Sequence, residues 1–454
     1  MARALVDQLD GNSKGRFPTV TLIRHCMLVF AGALAMLSAP AEAKLSPAEQ
    51  KMVQVVDSEQ QRTVAMLGKW VEQNSGTMNF EGVRKVGEML RSELEPLGFA
   101  VRWADESGAD RAGHLIAHHK GKGKKLLLIA HLDTVFEKSS PFQHWEIKGD
   151  TAVGPGSSDD KGGMAVIVAA LRAMNAAGTL KNADITVVMS GDEEDAGNPI
   201  SISRAALVRE GKRADIAIDF EPLAVDDGND MGSTARRSSG SWTLTVSGRS
   251  AHSSGIFAPG VGFGAIYEMA RVLDAFRREL PQENLTYNVG LVTGGASASL
   301  TDGGLGAEAT GKTNIIAGTA IARGDLRALT QDQIDRTKAR MLEIVSDPLP
   351  GTLSMLSFDP GDYPPMAPTQ GNRAILAKLN GVNRDMGLPE MGELPPSRRG
   401  AGDISFVAAD VDSLAGMGAS GDGSHAPGET VDIPSIFKQA KRTAILLSRY
   451  SRER

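Results

Sequence analysis

Between Ser46 and Gln73 the apolar residues Met52, Val55, Val56, Val64, Leu67, Trp70 and Val71 recur at helical spacing, and Phe80 to Leu97 repeats the pattern with Val83, Val86, Met89, Leu90 and Leu94. Two amphipathic helices are expected there. The period then shortens. Phe99–Trp103, Gly113–His118 and the unbroken apolar run Leu126–Ala130 read as strands, the last a central one covered on both faces. Ala165–Met174 reads as a helix and Ile185–Met189 as another buried strand. Alternation of this kind predicts an α/β layer domain with a mostly parallel sheet.

Around Ser239 the patterning changes. Ser241–Val246 alternates polar and apolar residues like a half-solvated strand, and Gly260–Leu280 is helical in period. Asn314–Ile321 with Asp325-Leu326-Arg327 gives a further strand, Gln331–Val345 a helix, and Leu353–Phe358 a last strand. These elements fit the order β-α-β-β-α-β of a small two-layer domain of ferredoxin-like topology, one strand of which the pattern does not place. The run Pro364-Pro365-Met366-Ala367-Pro368 marks the return to the first domain, which resumes from Asn372. Four segments follow: 1–43, 44–235, an insertion at 236–364, and 365–454.

The first segment changes the picture of where the chain works. Cys26–Ser38 is one apolar run, preceded by Lys14, Arg16 and Arg24 and followed by Ala41-Glu42-Ala43, which has the small-x-small pattern of a signal-peptidase site. Cleavage after Ala43 and a periplasmic or secreted location are expected, with no membrane attachment afterwards. A membrane anchor is the competing reading, but the run is shorter than the ~20 residues a spanning helix needs. The mature chain would contain no cysteine, because the only one is Cys26. That excludes a disulfide scaffold, a thiol nucleophile and cysteine-ligated zinc. The apolar content of 41% is that of a globular protein, and a net charge of −6 argues against nucleic acid as a partner.

Histidine and carboxylates remain for chemistry, and there are eight histidines. His131-Leu132-Asp133 directly follows the Leu126–Ala130 strand, where α/β sheets place ligands. In an extended His-x-Asp both side chains share a face, so Asp133 can hold the imidazole nitrogen that faces away from a metal. Asp159-Asp160 lies in a glycine-rich turn before Lys161-Gly162-Gly163, and Asp192-Glu193-Glu194-Asp195 follows the Ile185–Met189 strand. The first pair could be a helix cap and the second run a solvated loop. Two crowded acidic runs leaving two buried strands point instead to a shared cation. Glu221 ends another apolar stretch, and His425 sits far along the chain in Gly423-Ser424-His425-Ala426-Pro427-Gly428-Glu429. Such a set, without sulfur, suits a pair of divalent ions, with zinc the default for hydrolysis. His114, His118 and His119 read as surface or structural residues, and His144 is unassigned.

The successive motifs HLDTVF at His131, GPGSSDDKGG at Gly154, DEED at Asp192, FEP at Phe220, GRSAHSSG at Gly248 and GSHAPGE at Gly423 resemble the signatures of the two-zinc metallopeptidase family. That family includes glutamate carboxypeptidase, aminoacylase, acetylornithine deacetylase and succinyl-diaminopimelate desuccinylase. The glutamate carboxypeptidase branch is the most similar. The resemblance implies a zinc-peptidase-like catalytic domain with an inserted ferredoxin-like lid that also dimerises, Gly260–Leu280 contributing to the contact. It implies two zinc ions, replaceable by cobalt or manganese. Asp159 would bridge them, with His131 and Glu221 on one and Glu194 and His425 on the other, and a cis peptide would join Asp159 to Asp160. Glu193 would be the general base, taking a proton from an activated water and passing it to the departing nitrogen. Consecutive side chains at a strand end point opposite ways, so Glu194 would face metal and Glu193 the substrate. His252 would help stabilise the oxyanion, often across a dimer, and Asn314 and Arg327 would hold the substrate carboxylate.

The implied activity is cleavage of a peptide or N-acyl amide bond beside a free carboxylate, as carboxypeptidase or dipeptidase. N-acyl amino acid deacylation is the alternative, and a non-catalytic binding relative a further one. Glutamate-releasing members carry extra basic residues after FEP and near the end of the lid. Here those regions read Ala224-Val225-Asp226-Asp227-Gly228-Asn229-Asp230 and Pro360-Gly361-Asp362-Tyr363. A neutral or basic substrate side chain is therefore expected.

Overall fold

The computed structural model describes residues 45–453. The expected signal segment and its cleavage site lie outside them. The central sheet has six strands, and its first five are β1 (Ala100–Ala104), β2 (His114–His119), β3 (Lys125–His131), β4 (Asp184–Ser190) and β5 (Ile216–Asp219). A second sheet follows with β6 (Gly240–Gly248), β7 (Thr286–Gly295), β8 (Thr319–Arg327) and β9 (Thr352–Phe358), and β10 (Ser413–Leu414) then closes the first. The principal helices are α1 (Pro47–Ser58), α2 (Gln60–Glu72), α3 (Phe80–Leu94), α4 (Lys161–Ala176), α5 (Ala265–Glu279), α6 (Gln331–Ser346), α7 (Gln370–Asp385) and α8 (Ile433–Tyr450).

The central sheet runs β1-β2-β4-β3-β5-β10. Pairings β4–β3, β3–β5 and β5–β10 are parallel, while β2 runs against both its neighbours. β3 occupies the interior, and its side chains alternate between two cores. Leu126, Leu128 and Ala130 join the larger one, built with α1–α4, α7 and α8; Leu127 and Ile129 join the smaller one on the opposite face. Double coverage is why this strand reads as an unbroken apolar run. The same logic explains α4, which is buried without interruption from Lys161 to Met174 because it lies between the sheet and other helices. The consequence for chemistry is geometric: β3, β4 and β5 end at one edge of the sheet, where the switch in strand order opens a crevice.

The second sheet is antiparallel, in the order β7-β8-β6-β9, with α5 and α6 packed on one face around Trp242, Phe276 and Met341. This is the ferredoxin-like order expected from the sequence.

Three elements differ from the sequence reading. The first helix is two, since Glu59 (φ −101°, ψ 11°) leaves the helical region while the apolar stripe continues on both sides. The helix expected from Gly260 starts at Ala265, because Gly260, Gly262 and Gly264 adopt positive φ of 79°, 83° and 77°. The strand expected from Asn314 starts at Thr319. Ile315 and Ile316 are apolar because they clip the loop at His252, Ile316 being buried there. A hairpin at 297–310, turning at Asp302-Gly303-Gly304, was not foreseen.

Candidate dinuclear metal site

His131 is the last residue of β3 and is almost fully buried. Its Nε2 lies 3.1 Å from Asp159 Oδ1 and 3.7 Å from Glu221 Oε1. Its Nδ1 faces Asp133, 3.1 Å from the carbonyl oxygen and 3.4 Å from the carboxylate. The expected share of work between the two ring nitrogens is thus present. Asp133 does more than orient the ring. Its carboxylate accepts the Thr77 hydroxyl at 2.6 Å and the backbone N–H groups of Glu193 and Glu194 at 3.0 and 3.1 Å, tying the end of β3 to the turn after β4.

Asp159 stands between two histidines. Its second oxygen is 3.3 Å from His425 Nε2, and the same nitrogen is 3.1 Å from Glu194 Oε2. The peptide joining Asp159 to Asp160 is cis, as the sequence resemblance implies. Glu429 holds the turn from below, its carboxylate accepting the backbone N–H groups of Gly156, Ser158 and Asp159 at 2.9, 2.9 and 3.0 Å. His425 adopts φ 66°, in the left-handed region that is uncommon for residues other than glycine.

Two ligand sets result, with donor atoms within 4.8 Å of one another: His131 with Asp159 and Glu194, and His131 with Glu193 and Glu221. His425 completes the first through its contacts with Asp159 and Glu194. The electrostatics of the protein alone are those of a cation site. Burial, and then the charges of neighbouring acids, push Glu194 up to about 7 despite its hydrogen bond to His425, and push Glu193 well above the carboxylate range. Burial opposes ionisation of Asp159 too, but hydrogen bonds from His131 and His425 overcome it and hold its carboxyl below the usual range. His425 is raised to about 11 by its hydrogen bonds to Asp159 and Glu194. Crowded carboxylates of this kind, with imidazoles among them, fit two divalent ions.

The acidic run after β4 divides. Asp192 turns away to bind Arg204 at 2.7 Å and the Ser203 hydroxyl at 2.6 Å, and Asp195 pairs with Arg111 at 2.8 Å. Glu194 faces His425. The Glu193 carboxylate makes no ion pair within 4.0 Å among the described residues.

A cavity of about 900 Å³ opens over these groups, lined by Asp159, Glu193, Glu221 and His425 together with Arg236, Arg398 and Arg399. A groove of about 950 Å³ between α2 and α8 is more apolar and holds none of the candidate ligands.

The model of peptidase family M20/M25/M40 matches residues 127–449, more than half of the chain. The chain belongs to this family. It is 27% identical to carboxypeptidase G2 of Pseudomonas sp. (strain RS-16) over 406 residues, covering 87% of this chain and 91% of that protein. It is also 27% identical to succinyl-diaminopimelate desuccinylase of Dechloromonas aromatica (strain RCB) over 272 residues, 57% of this chain and 66% of that one. Among solved structures, a tripeptidase from Staphylococcus aureus superposes with a TM-score of 0.69 at 20% identity, covering 87% of this chain and 99% of that one. A dinuclear metal-binding M20 peptidase from Bacillus subtilis gives 0.58 at 14% identity, with coverages of 87% and 98%. The chain is thus an M20-family hydrolase.

Not every residue singled out in the sequence reaches the cavity of this M20 chain. His252 is exposed in the loop after β6, with Nδ1 2.8 Å from the Ser254 hydroxyl; Asn314 lies beside it, its carbonyl accepting the Ser253 N–H at 3.0 Å. Neither lines the cavity within one chain. Arg327, at the end of β8, pairs with Asp325 at 2.8 Å, yet its guanidinium comes within 3.7 Å of the Cβ position at Gly400, a cavity residue. Among the remaining histidines, His114 is buried against the Ser203 carbonyl at 2.6 Å, and His118 pairs with Asp184 at 3.1 Å, both structural; exposed His144 lies 3.6 Å from Glu72.

Three of the acids behind the expectation of a neutral or basic substrate side chain are engaged by bases of the chain itself, Asp226 beside the cavity and Asp230 by Lys438 and Arg442. Asp226 pairs with Arg398, and Asp362 with Lys338 at 2.8 Å. Sequence reasoning also missed four residues that shape the site. Arg236 holds Asp219 and Glu221 at 3.0 and 3.1 Å. Glu429 was visible only as the end of a motif, and Arg204 and Arg399 gave no local signal.

Proposed function

We propose that this chain hydrolyses a peptide or N-acyl amide bond adjacent to a free carboxylate, as a carboxypeptidase or dipeptidase using two zinc ions. The observation that carries this reading is Asp159, whose two oxygens face two different histidines while the unpaired Glu193 carboxylate stands beside them. His131 and Glu221 would hold one ion, Glu194 and His425 the other, and Asp159 both. Bound there, the ions supply the charge that lowers the pKa of a water molecule and polarises the scissile carbonyl. Glu193 removes the water's proton and delivers it to the leaving nitrogen. Its desolvated position suits it to hold that proton between the two steps. Asp133 keeps His131 and the Glu193 backbone in place, and Arg327 at the cavity rim takes the substrate carboxylate.

Arg399 supports a narrower reading of the substrate. Its guanidinium bonds only neutral groups, the Pro222 carbonyl and, at 3.4 Å, the Ser233 hydroxyl, and no carboxylate lies within 4.0 Å among the described residues. A substrate group reaching it is acidic, from either an amino-acid side chain or a dicarboxylic acyl group.

The division into a catalytic body (44–235 with 365–454) and a lid (236–364) belongs to this reading, supported by the separate sheets and cores. So does a homodimer through the lid. Ile266 and Tyr267 on α5 and Val292 on edge strand β7 leave half or more of their surface exposed, which supports a contact on that side. Export is supported by the sequence at 14–43. His252 would then act in the partner's site.

The test is a panel of dipeptides and N-acyl amino acids offered to metal-stripped and zinc-reloaded protein. Zinc-dependent release of an amino acid from members with a free carboxylate is expected. Hydrolysis that ignores zinc, or preference for substrates with a blocked carboxylate, would contradict the proposal. Faster turnover of N-acyl amino acids than of any dipeptide would favour the deacylase.

A further inference from the structure

The segments joining the two sheets do more than connect them. The chain leaves the central domain at 236–239 and returns at 363–366, and these crossings pair with each other. Arg236 and Met366 exchange two backbone hydrogen bonds of 2.9 Å, and Ser239 and Tyr363 exchange two of 3.1 and 2.8 Å. Each crossing sends one side chain to the candidate metal site. Arg236 reaches Asp219 and Glu221. Tyr363 reaches Glu193, its hydroxyl donating to the Glu193 carbonyl oxygen at 3.0 Å.

That hydroxyl is itself fixed. It accepts from Arg204 Nη2 at 2.7 Å, and Arg204 is locked by Asp192 at 2.7 Å and Asp403 at 2.8 Å, with 2% of its side chain exposed. The tyrosine ring packs on Phe406 with centroids 4.8 Å apart, and the Arg204 guanidinium lies over both rings at 5.6 and 5.5 Å. Ring and hydroxyl therefore have separate supports.

The peptide flanks of Glu193 are gripped from two sides. Its N–H donates to Asp133 at 3.0 Å and its carbonyl accepts from Tyr363. Its carboxylate makes no ion pair within 4.0 Å among the described residues, so these backbone grips are the polar contacts that hold this residue.

We propose that Tyr363 is a positioning residue for Glu193, fixing the proton-transferring carboxylate to the paired crossing that carries the lid. The inference rests on the reading of Glu193 as the base. A displacement of about 1 Å at a reacting group costs on the order of a hundredfold in rate, which gives one hydroxyl on the backbone room to matter. Arg236 grips Glu221 from the same ribbon, so lid attachment and site geometry share one element.

The test is Tyr363→Phe, which keeps the ring and its packing and removes only the hydroxyl. Two readouts are taken on the full chain. Hydrogen exchange of a peptide covering 190–196 is expected to speed up about tenfold in the variant, whether or not a good substrate is in hand. With substrate, kcat is expected to fall about ten- to a hundredfold while KM, metal content and melting temperature stay close to wild type. In a Glu193→Gln background the same change is expected to add no further loss, because the group it positions is gone. Unchanged exchange in 190–196 overturns the proposal. So does an unchanged kcat, or a loss of kcat that runs parallel to losses of metal and melting temperature. Wild-type protein with no zinc-dependent hydrolysis would instead remove the reading of Glu193, leaving the exchange result to decide the structural tie by itself.

Discussion

At the residue scale, the site separates groups that touch a metal or substrate from groups that hold them. Glu429 is the clearest holder, since its carboxylate organises three backbone N–H groups of the turn that presents Asp159. Glu429→Gln replaces an acceptor with a donor against that turn. We expect metal affinity to fall by roughly ten- to a hundredfold, as for other lost supports of ligands, measured by competition with a chelator. Unchanged affinity would mean the turn keeps its shape unaided. Arg399→Ala tests the acidic-substrate reading. A rise of about tenfold in KM for glutamate- or succinyl-bearing substrates, without change for neutral ones, is expected, equivalent to about 1.4 kcal/mol. An equal effect on both would show that Arg399 is structural. Neither residue was legible as a participant in the sequence. Glu429 acts 271 residues from Ser158, and Arg399 acts 177 residues from Pro222. By contrast His131, Glu193, Glu194 and Glu221 sit where buried strands end, so local pattern places them at one edge of the sheet, whereas Asp159 lies in the glycine-rich turn that opens α4 and not at a strand end.

At the element scale, strands buried on both faces were readable because apolar runs record burial directly, as in Leu126–Ala130. Segments whose side chains serve loops misled. Ile315-Ile316 looks like a strand start but clips one loop to another, and the glycines before Ala265 prolong an apparent helix while their positive φ excludes it. The loops at the strand ends carry a pH dependence whose sign can be worked out. Without metal, hydrogen bonds to Asp159 and Glu194 push His425 up to about 11 and burial pushes Glu194 up to about 7, which favours the protonated form of the first and part protonation of the second near neutrality. Ligation requires both to be deprotonated, and the metal-free form therefore binds more protons than the loaded form. Metal affinity should rise from pH 6 to pH 8, with protons released on loading. Calorimetry in buffers of different ionisation enthalpy would detect the release; affinity independent of pH would contradict the assigned ligands.

At the scale of the whole molecule, the ferredoxin-like insert was legible from its order of elements, and the hairpin at 297–310 was not, although its Asp302-Gly303-Gly304 turn is a hairpin signal. Within one chain His252 does not line the cavity. If the proposed dimer completes the site, mixing two inactive variants should restore activity. Subunits carrying His252→Ala and subunits carrying Glu193→Gln would form mixed dimers in which one site has both groups intact. Recovery of up to about a quarter of wild-type activity is expected for random pairing through a symmetric interface. No recovery, with mixed dimers demonstrated, would confine His252 to its own chain or to no role.

The central claim is that a protein-held carboxylate moves the proton while the metals are held by other residues. Glu193→Gln in fully metal-loaded protein tests it most directly. A loss of roughly a hundred- to ten-thousandfold in kcat is expected, with both metal ions still bound. Retention of activity, or loss of an ion together with activity, would contradict it, the second result making Glu193 a ligand.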